Sequence, residues 1–323
     1  MTASHLSGRT IGLMTLPPLL WAGNAVVGRL MVGSVPPMTL NFLRWAIAAL
    51  LLLPLAWRAL RRPRDILARW RYLAALGLLG VGMYNALQYL ALVTSTPVNV
   101  TLIAASTPVW MLVVGALAFR VRPTARQLWG AAFSLAGVAV VLTRGNSAAI
   151  AQLRFVAGDL YVVVAVIAWA FYSWLLSRPP ASMQEPQRPA WDWADLLLLQ
   201  TLFGLVPAGA AAGIEQWQGA APIVWNAPVL AALAYVAIGP AIIAYRCWGL
   251  GIAAGGPALA AFFANLAPVF AALMSAALLG EAPQVFHGVA FALIVAGIVV
   301  SSPARRAGSR LPSGASGGRD RAA

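Results

Sequence analysis

The chain has 323 residues, 61% of them hydrophobic and 9% charged, with 22 basic against 8 acidic side chains, a net charge of +14 and a mean hydropathy of +0.80. A water-soluble domain carries about a quarter charged residues, so an ordinary cytosolic enzyme is excluded, and the apolar content excludes a disordered chain. All the basic residues are arginines, and most sit in short runs between apolar segments, which assigns them to membrane topology rather than to nucleic acid.

A helix crossing about 30 Å of hydrocarbon takes roughly 20 mostly apolar residues. Ten stretches come close: residues 11–32, 37–57, 72–92, 97–119, 127–143, 158–177, 195–214, 227–248, 257–279 and 284–302. The first is too long for the core of a secretory signal and reads as a retained span. The gaps at 93–96 and 249–256 are short, and Pro97 and Pro257 supply the helix starts after them. With the N-terminus inside, 17 arginines fall in cytoplasmic segments and two, Arg144 and Arg154, fall outside. The expectation is an all-α, multi-pass protein of the cell inner (plasma) membrane. Residues 1–10 form a cytoplasmic N-terminus, 303–323 a disordered cytoplasmic tail, and the bilayer itself is a partner.

The spans fall into two halves, 11–143 and 158–302. A shift of 160 residues places Pro97, Pro108 and Pro123 on Pro257, Pro268 and Pro283 without a gap, and a shift of 148 places Trp21 on Trp169. Five spans per copy is an odd number, so the second copy enters the membrane the other way up. Two inverted five-helix repeats are an architecture of secondary transporters.

Polar groups inside a bilayer are expensive unless they face the bundle interior or a wet cavity, so they point to a pathway. Tyr84, Asn85 and Gln88 share one helical face in the third span, and Tyr245 and Arg246 are their counterparts in the eighth. Arg246 is the candidate for receiving a carboxylate or phosphate through its planar guanidinium, which favours anionic or zwitterionic substrates. Arg44, a third of the way into the second span, reads as a structural or snorkelled group. In the fourth span Asn99, Ser106 and Thr107 precede Pro108, and in the ninth Asn265 precedes Pro268. Each proline removes a backbone hydrogen bond and frees the carbonyls of Ala104 and Ala264, so Pro108 and Pro268 are candidate hinges. Trp21 and Asn24 in the first span and Trp169 and Tyr172 in the sixth are candidate cavity walls. The small-residue pair Gly209 and Gly213 is a candidate seat for a neighbouring helix.

No acidic residue falls in the middle of a span, which disfavours a proton carrier and a site for cationic drugs. Cys247, His5 and His287 offer neither a disulfide nor a zinc site, so no cofactor or metal is expected. An embedded enzyme lacks a nucleophile with a base.

Leu20-Trp21-Ala22-Gly23-Asn24, Asn41-Phe42-Leu43-Arg44-Trp45, Asn265-Leu266-Ala267-Pro268-Val269-Phe270 and Leu279-Gly280-Glu281 together resemble the EamA branch of the drug/metabolite transporter superfamily, over residues 10–302. The resemblance implies a ten-helix bundle whose central cavity is lined by spans 1, 3, 4, 6, 8 and 9, and the export of amino acids or similar small metabolites by alternating access. Val121 stands where the first repeat of such proteins often carries the glutamate that the second keeps as Glu281. A lipid-linked-sugar flippase is the competing reading, and a homodimer is left open.

Overall fold

The computed structural model describes residues 7–91, 94–95, 97–146, 155–279 and 284–302, and among them every regular element is a helix. The medium dictates this, because in hydrocarbon each backbone N–H and C=O must be satisfied inside the protein, and a helix does so within one segment. Helix α1 spans Gly8–Leu30 and runs through Pro17 and Pro18, and α2 spans Pro37–Leu60. The short α3, Pro63–Ala68, and α4, Trp70–Leu76, lead into a π-helical segment, Gly77–Met83, and then α5, Tyr84–Ala91. The first half is completed by α6, Pro97–Ala104, α7, Thr107–Leu117, and α8, Ala125–Leu142.

The second half begins with α9, Ala157–Ser177, and α10, Trp193–Trp217. Next come α11, Ala227–Val236, a second π segment, Ala237–Ile243, and α12, Ala244–Ala264. It closes with α13, Ala267–Leu279, and α14, Val285–Ser301. Among the described residues, seven segments are long and apolar enough to cross a membrane, including Ala227–Ala264 as one stretch of 38 residues, and Val285–Ser301 is a shorter apolar helix.

One expected break is displaced. Residues 249–255 are helical, and the backbone leaves helical geometry only at Gly256, with φ 82° and ψ 163°, a conformation that glycine alone adopts without strain, followed at once by Pro257. Gly251 and Gly255 before it serve packing against Met14 instead. A Cβ on Gly251 would lie 3.0 Å from Met14 Cγ of α1, so the missing side chain is what admits α1.

Packing pairs the two halves. Helix α8 lies along α14, α2 along α10, α1 against α12 and α13, and α9 against α5, α6 and α7. The α8–α14 contact is a close backbone approach, with a Cβ on Gly130 falling 2.7 Å from the Gly297 carbonyl and one on Gly297 falling 2.7 Å from the Gly130 carbonyl. Between apolar helices in lipid there is no hydrophobic drive, so such van der Waals fit carries association. Of the expected seat on α10, Gly209 meets Phe42, while Gly213 faces open space.

Inter-helix connections meet at two ends of the bundle. At one end Arg69 donates to the carbonyls of Ser182, at 2.9 Å, and Gln187, Arg178 donates to Phe119 at 3.0 Å, and Arg126 donates to Val300 at 2.9 Å. At the other, Val224 N–H donates to the Ser34 carbonyl at 2.9 Å, and the Glu215 carboxylate accepts from the N–H groups of Met38, at 2.9 Å, and Thr39, at 2.7 Å, at the start of α2. The arginine-rich connections thus share one face. Glu281, Arg154 and the tail from 303 lie outside the described residues, as does the Asn99 side chain.

Candidate functional site

Between α1, α2, α5, α6, α7, α9, α12 and α13 lies a cavity of about 230 Å³. Of the residues singled out from sequence, Trp21, Asn24, Tyr84, Asn85, Gln88, Thr107, Trp169, Tyr245, Asn265 and Pro268 line it. Residues 220 positions apart in the chain are brought together here by the pairing of the two halves. Tyr172 and Arg246 are not among its walls. They line a second pocket of about 270 Å³ on the side of the arginine-rich face, with Arg188, Asp192, Trp193 and Gln200. The Arg246 guanidinium sits 4.0 Å from the centre of the Trp193 ring, a cation–π contact beside the connection that precedes α10.

An aromatic layer separates the two spaces. Trp169 is its hub, stacked on Tyr172 with ring centres 5.0 Å apart at 26°, edge-on to Trp21 at 5.3 Å and to Tyr245 at 5.5 Å, and within 4.9 Å of Tyr84 and 5.4 Å of Trp248. Tyr245 lines both pockets. Offset and edge-on pairs of this kind are the favoured arrangements of aromatic quadrupoles.

The layer is anchored on the two π segments, which occupy equivalent positions 160 residues apart, Gly77–Met83 and Ala237–Ile243. A π turn leaves carbonyls without regular helical partners. Two equivalent ones are taken by cavity aromatics: the Gly80 carbonyl accepts from Tyr245 Oη, and the Pro240 carbonyl accepts from Trp21 Nε1 at 3.3 Å. Gly80 also gives room to Tyr172, whose ring carbon Cε2 would lie 2.7 Å from any Cβ there.

The two proline-bearing helices break at equivalent positions, Ala105-Ser106 and Asn265-Leu266. The Ala104 carbonyl, deprived of its helical donor by Pro108, accepts from Thr107 Oγ1 at 2.6 Å, and Ser106 Oγ donates to Ile103 at 2.5 Å. Asn265 bridges the breaks. Its Nδ2 donates to the Ala105 carbonyl at 3.0 Å and to Ser134 Oγ at 2.8 Å.

Arg44 is a wall residue that the sequence argument read as a structural or snorkelled group. Its side chain is 2% exposed and lines the cavity, so it does not snorkel. Nη1 donates to Asn24 Oδ1 at 3.4 Å, Nε has no partner, and the Trp45 ring centre is 5.0 Å away. The absence of an intramembrane acid to pair with it holds for Arg246 as well, so the sequence carried no signal that singled out Arg44.

Membrane-spanning helices of both halves thus enclose a polar, aromatic-floored cavity inside an apolar bundle, which defines a membrane transporter. A family model for EamA-like transporters matches residues 8–143 and again 156–302, and the chain belongs to that family. An uncharacterized transporter of Archaeoglobus fulgidus is 27% identical over 301 residues, 92% of this chain and 98% of that protein. The uncharacterized transporter YyaM of Bacillus subtilis is 26% identical over 230 residues, 70% of this chain and 71% of that one. A solved crystal structure shares the fold, with a TM-score of 0.68 at 24% identity, covering 91% of this chain and 96% of that one.

Proposed function

We propose that the chain is a secondary transporter that moves amino acids or similar small metabolites by alternating access, built as ten spans in two inverted five-helix repeats. The observation that carries this reading is the pair of pockets on opposite sides of one aromatic layer. The walls of the layer come from α1 and α5 in one half and α9 and α12 in the other. Inverted repeats are supported by the double family match, by π segments and helix breaks at a constant shift of 160 residues, and by cross-half pairing of α2 with α10 and α8 with α14. The arginine-rich face is cytoplasmic in this reading, which makes the second pocket the inner vestibule.

Rocking of one half against the other closes one vestibule as it opens the other, with the helix breaks near Pro108 and Pro268 as the places where the backbone has slack. The described walls of the central cavity offer amide, hydroxyl and aromatic groups and the Arg44 guanidinium, and no carboxylate, so in this reading the cavity carries no carboxylate proton carrier. The test is uptake of labelled amino acids and small organic anions into proteoliposomes, with and without a pH gradient. The expected outcome is saturable uptake that ignores the gradient. Uptake that needs the gradient refutes the facilitated mechanism, and no uptake across the panel refutes the transport reading.

A further inference from the structure

Resting on that transport reading, we infer that the central cavity selects small monocarboxylates and that the Arg44 guanidinium is the group that receives them. Among the described residues, Arg44 is the one charged side chain in the cavity wall. At 2% exposure it is withdrawn from water, and no carboxylate among the described residues pairs with it. A cation in this position is costly unless something neutralises it.

The neighbours it has are neutral and incomplete. Asn24 accepts from Nη1 at a long 3.4 Å, the Trp45 ring is 5.0 Å from the guanidinium carbon, and Nε is unpartnered. A carboxylate entering the cavity meets a planar donor fork that matches its two oxygens, and it neutralises the buried charge at the same time. A phosphomonoester carries nearly two negative charges near pH 7 and finds no second cation among the described residues of these walls. The remainder of the ligand faces the Trp21 and Trp169 rings, with Asn85 and Gln88 as its hydrogen-bonding groups. A volume of about 230 Å³ lies below the roughly 300–1,000 Å³ of drug-sized sites, so the body is small, and the Trp21 and Trp169 rings and the alanines of the wall suit an apolar one. Arg246, held on Trp193 in the other pocket, is left outside this recognition.

The experiment is equilibrium binding of radiolabelled phenylacetate and 4-methylvalerate to the purified full chain in detergent, with the matched amides and inorganic phosphate as competitors. The expected result is saturable carboxylate binding that amides and phosphate do not displace. That binding weakens about tenfold or more in Arg44→Gln and less in Arg44→Lys, which keeps the charge but loses the fork.

Amides or phosphate that compete as well as carboxylates overturn the proposal on the wild-type protein alone, whether or not Arg44→Gln folds. So does the absence of carboxylate binding, or unchanged binding by a monodisperse Arg44→Gln. Proteoliposome uptake of the same probes separates the two claims. Arg44-dependent binding without uptake upholds the recognition site and counts against transport, whereas uptake indifferent to Arg44 and to the carboxylate does the reverse.

Discussion

Asn265 and Ala105 occupy equivalent positions of the two halves, and the side chain of one satisfies the carbonyl of the other. Substituting Asn265 by alanine leaves the Ala105 carbonyl and the Ser134 hydroxyl short of a buried partner, at a cost of about 1–3 kcal/mol. The expected result is a lower unfolding temperature in detergent for Asn265→Ala, with Ser134→Ala milder because one of the two bonds survives; equal melting of Asn265→Ala and wild type would contradict this bridge. At the hub of the aromatic layer, Trp169 is 2% exposed and touches Trp21, Tyr84, Tyr172, Tyr245 and Trp248. Trp169→Ala is expected to cost about 3–5 kcal/mol and to merge the two pockets. A leak of small solutes through proteoliposomes carrying it is the check.

The helices are shaped less by their apolar content than by a few positions where regularity is broken. In α12 a single glycine with positive φ, next to Pro257, interrupts a helical stretch of 38 residues, Ala227–Ala264, near its end. Between α8 and α14 the absence of two side chains sets the distance. Gly130→Leu is therefore expected to drive these helices apart and to destabilise the protein by about 1–3 kcal/mol or more, because the obstacle is the backbone of Gly297 and Ser301 rather than the end of a flexible chain. Gly213→Leu, facing open space, serves as the matched control and is expected to melt as wild type. The π segments present carbonyls to Tyr245 and Trp21 in a way an unbroken α-helix does not. Tyr245→Phe tests this at element level: loss of the bond to Gly80 is expected to reduce transport more than it reduces thermal stability.

For the molecule as a whole, alternating access has a geometric consequence. In a Cys247→Ser background, a cysteine at Gln88 of the central cavity and one at Arg188 of the second pocket are expected to react with an impermeant thiol reagent from opposite sides of the membrane. Labelling of both from the same side refutes the two-vestibule arrangement.

Apolar helical segments and the arginine-rich connections were readable from the sequence, because bilayer thickness imposes a length and the cost of polar groups in lipid imposes a pattern. Prolines in register marked the helix breaks for the same local reason. Most of the polar side chains that line the cavity were readable too, since polar residues in the middle of a span have few other places to be. What only the tertiary structure decided is which arginine stands in that wall. Arg44 and Arg246 look alike in the chain, each embedded in apolar sequence. Arg246 is placed on the Trp193 ring beside an inter-helix connection, while the pairing of α2 with α10 and the aromatic layer enclose Arg44 away from water. Burial and partnership belong to the assembled helices, and local periodicity does not encode them.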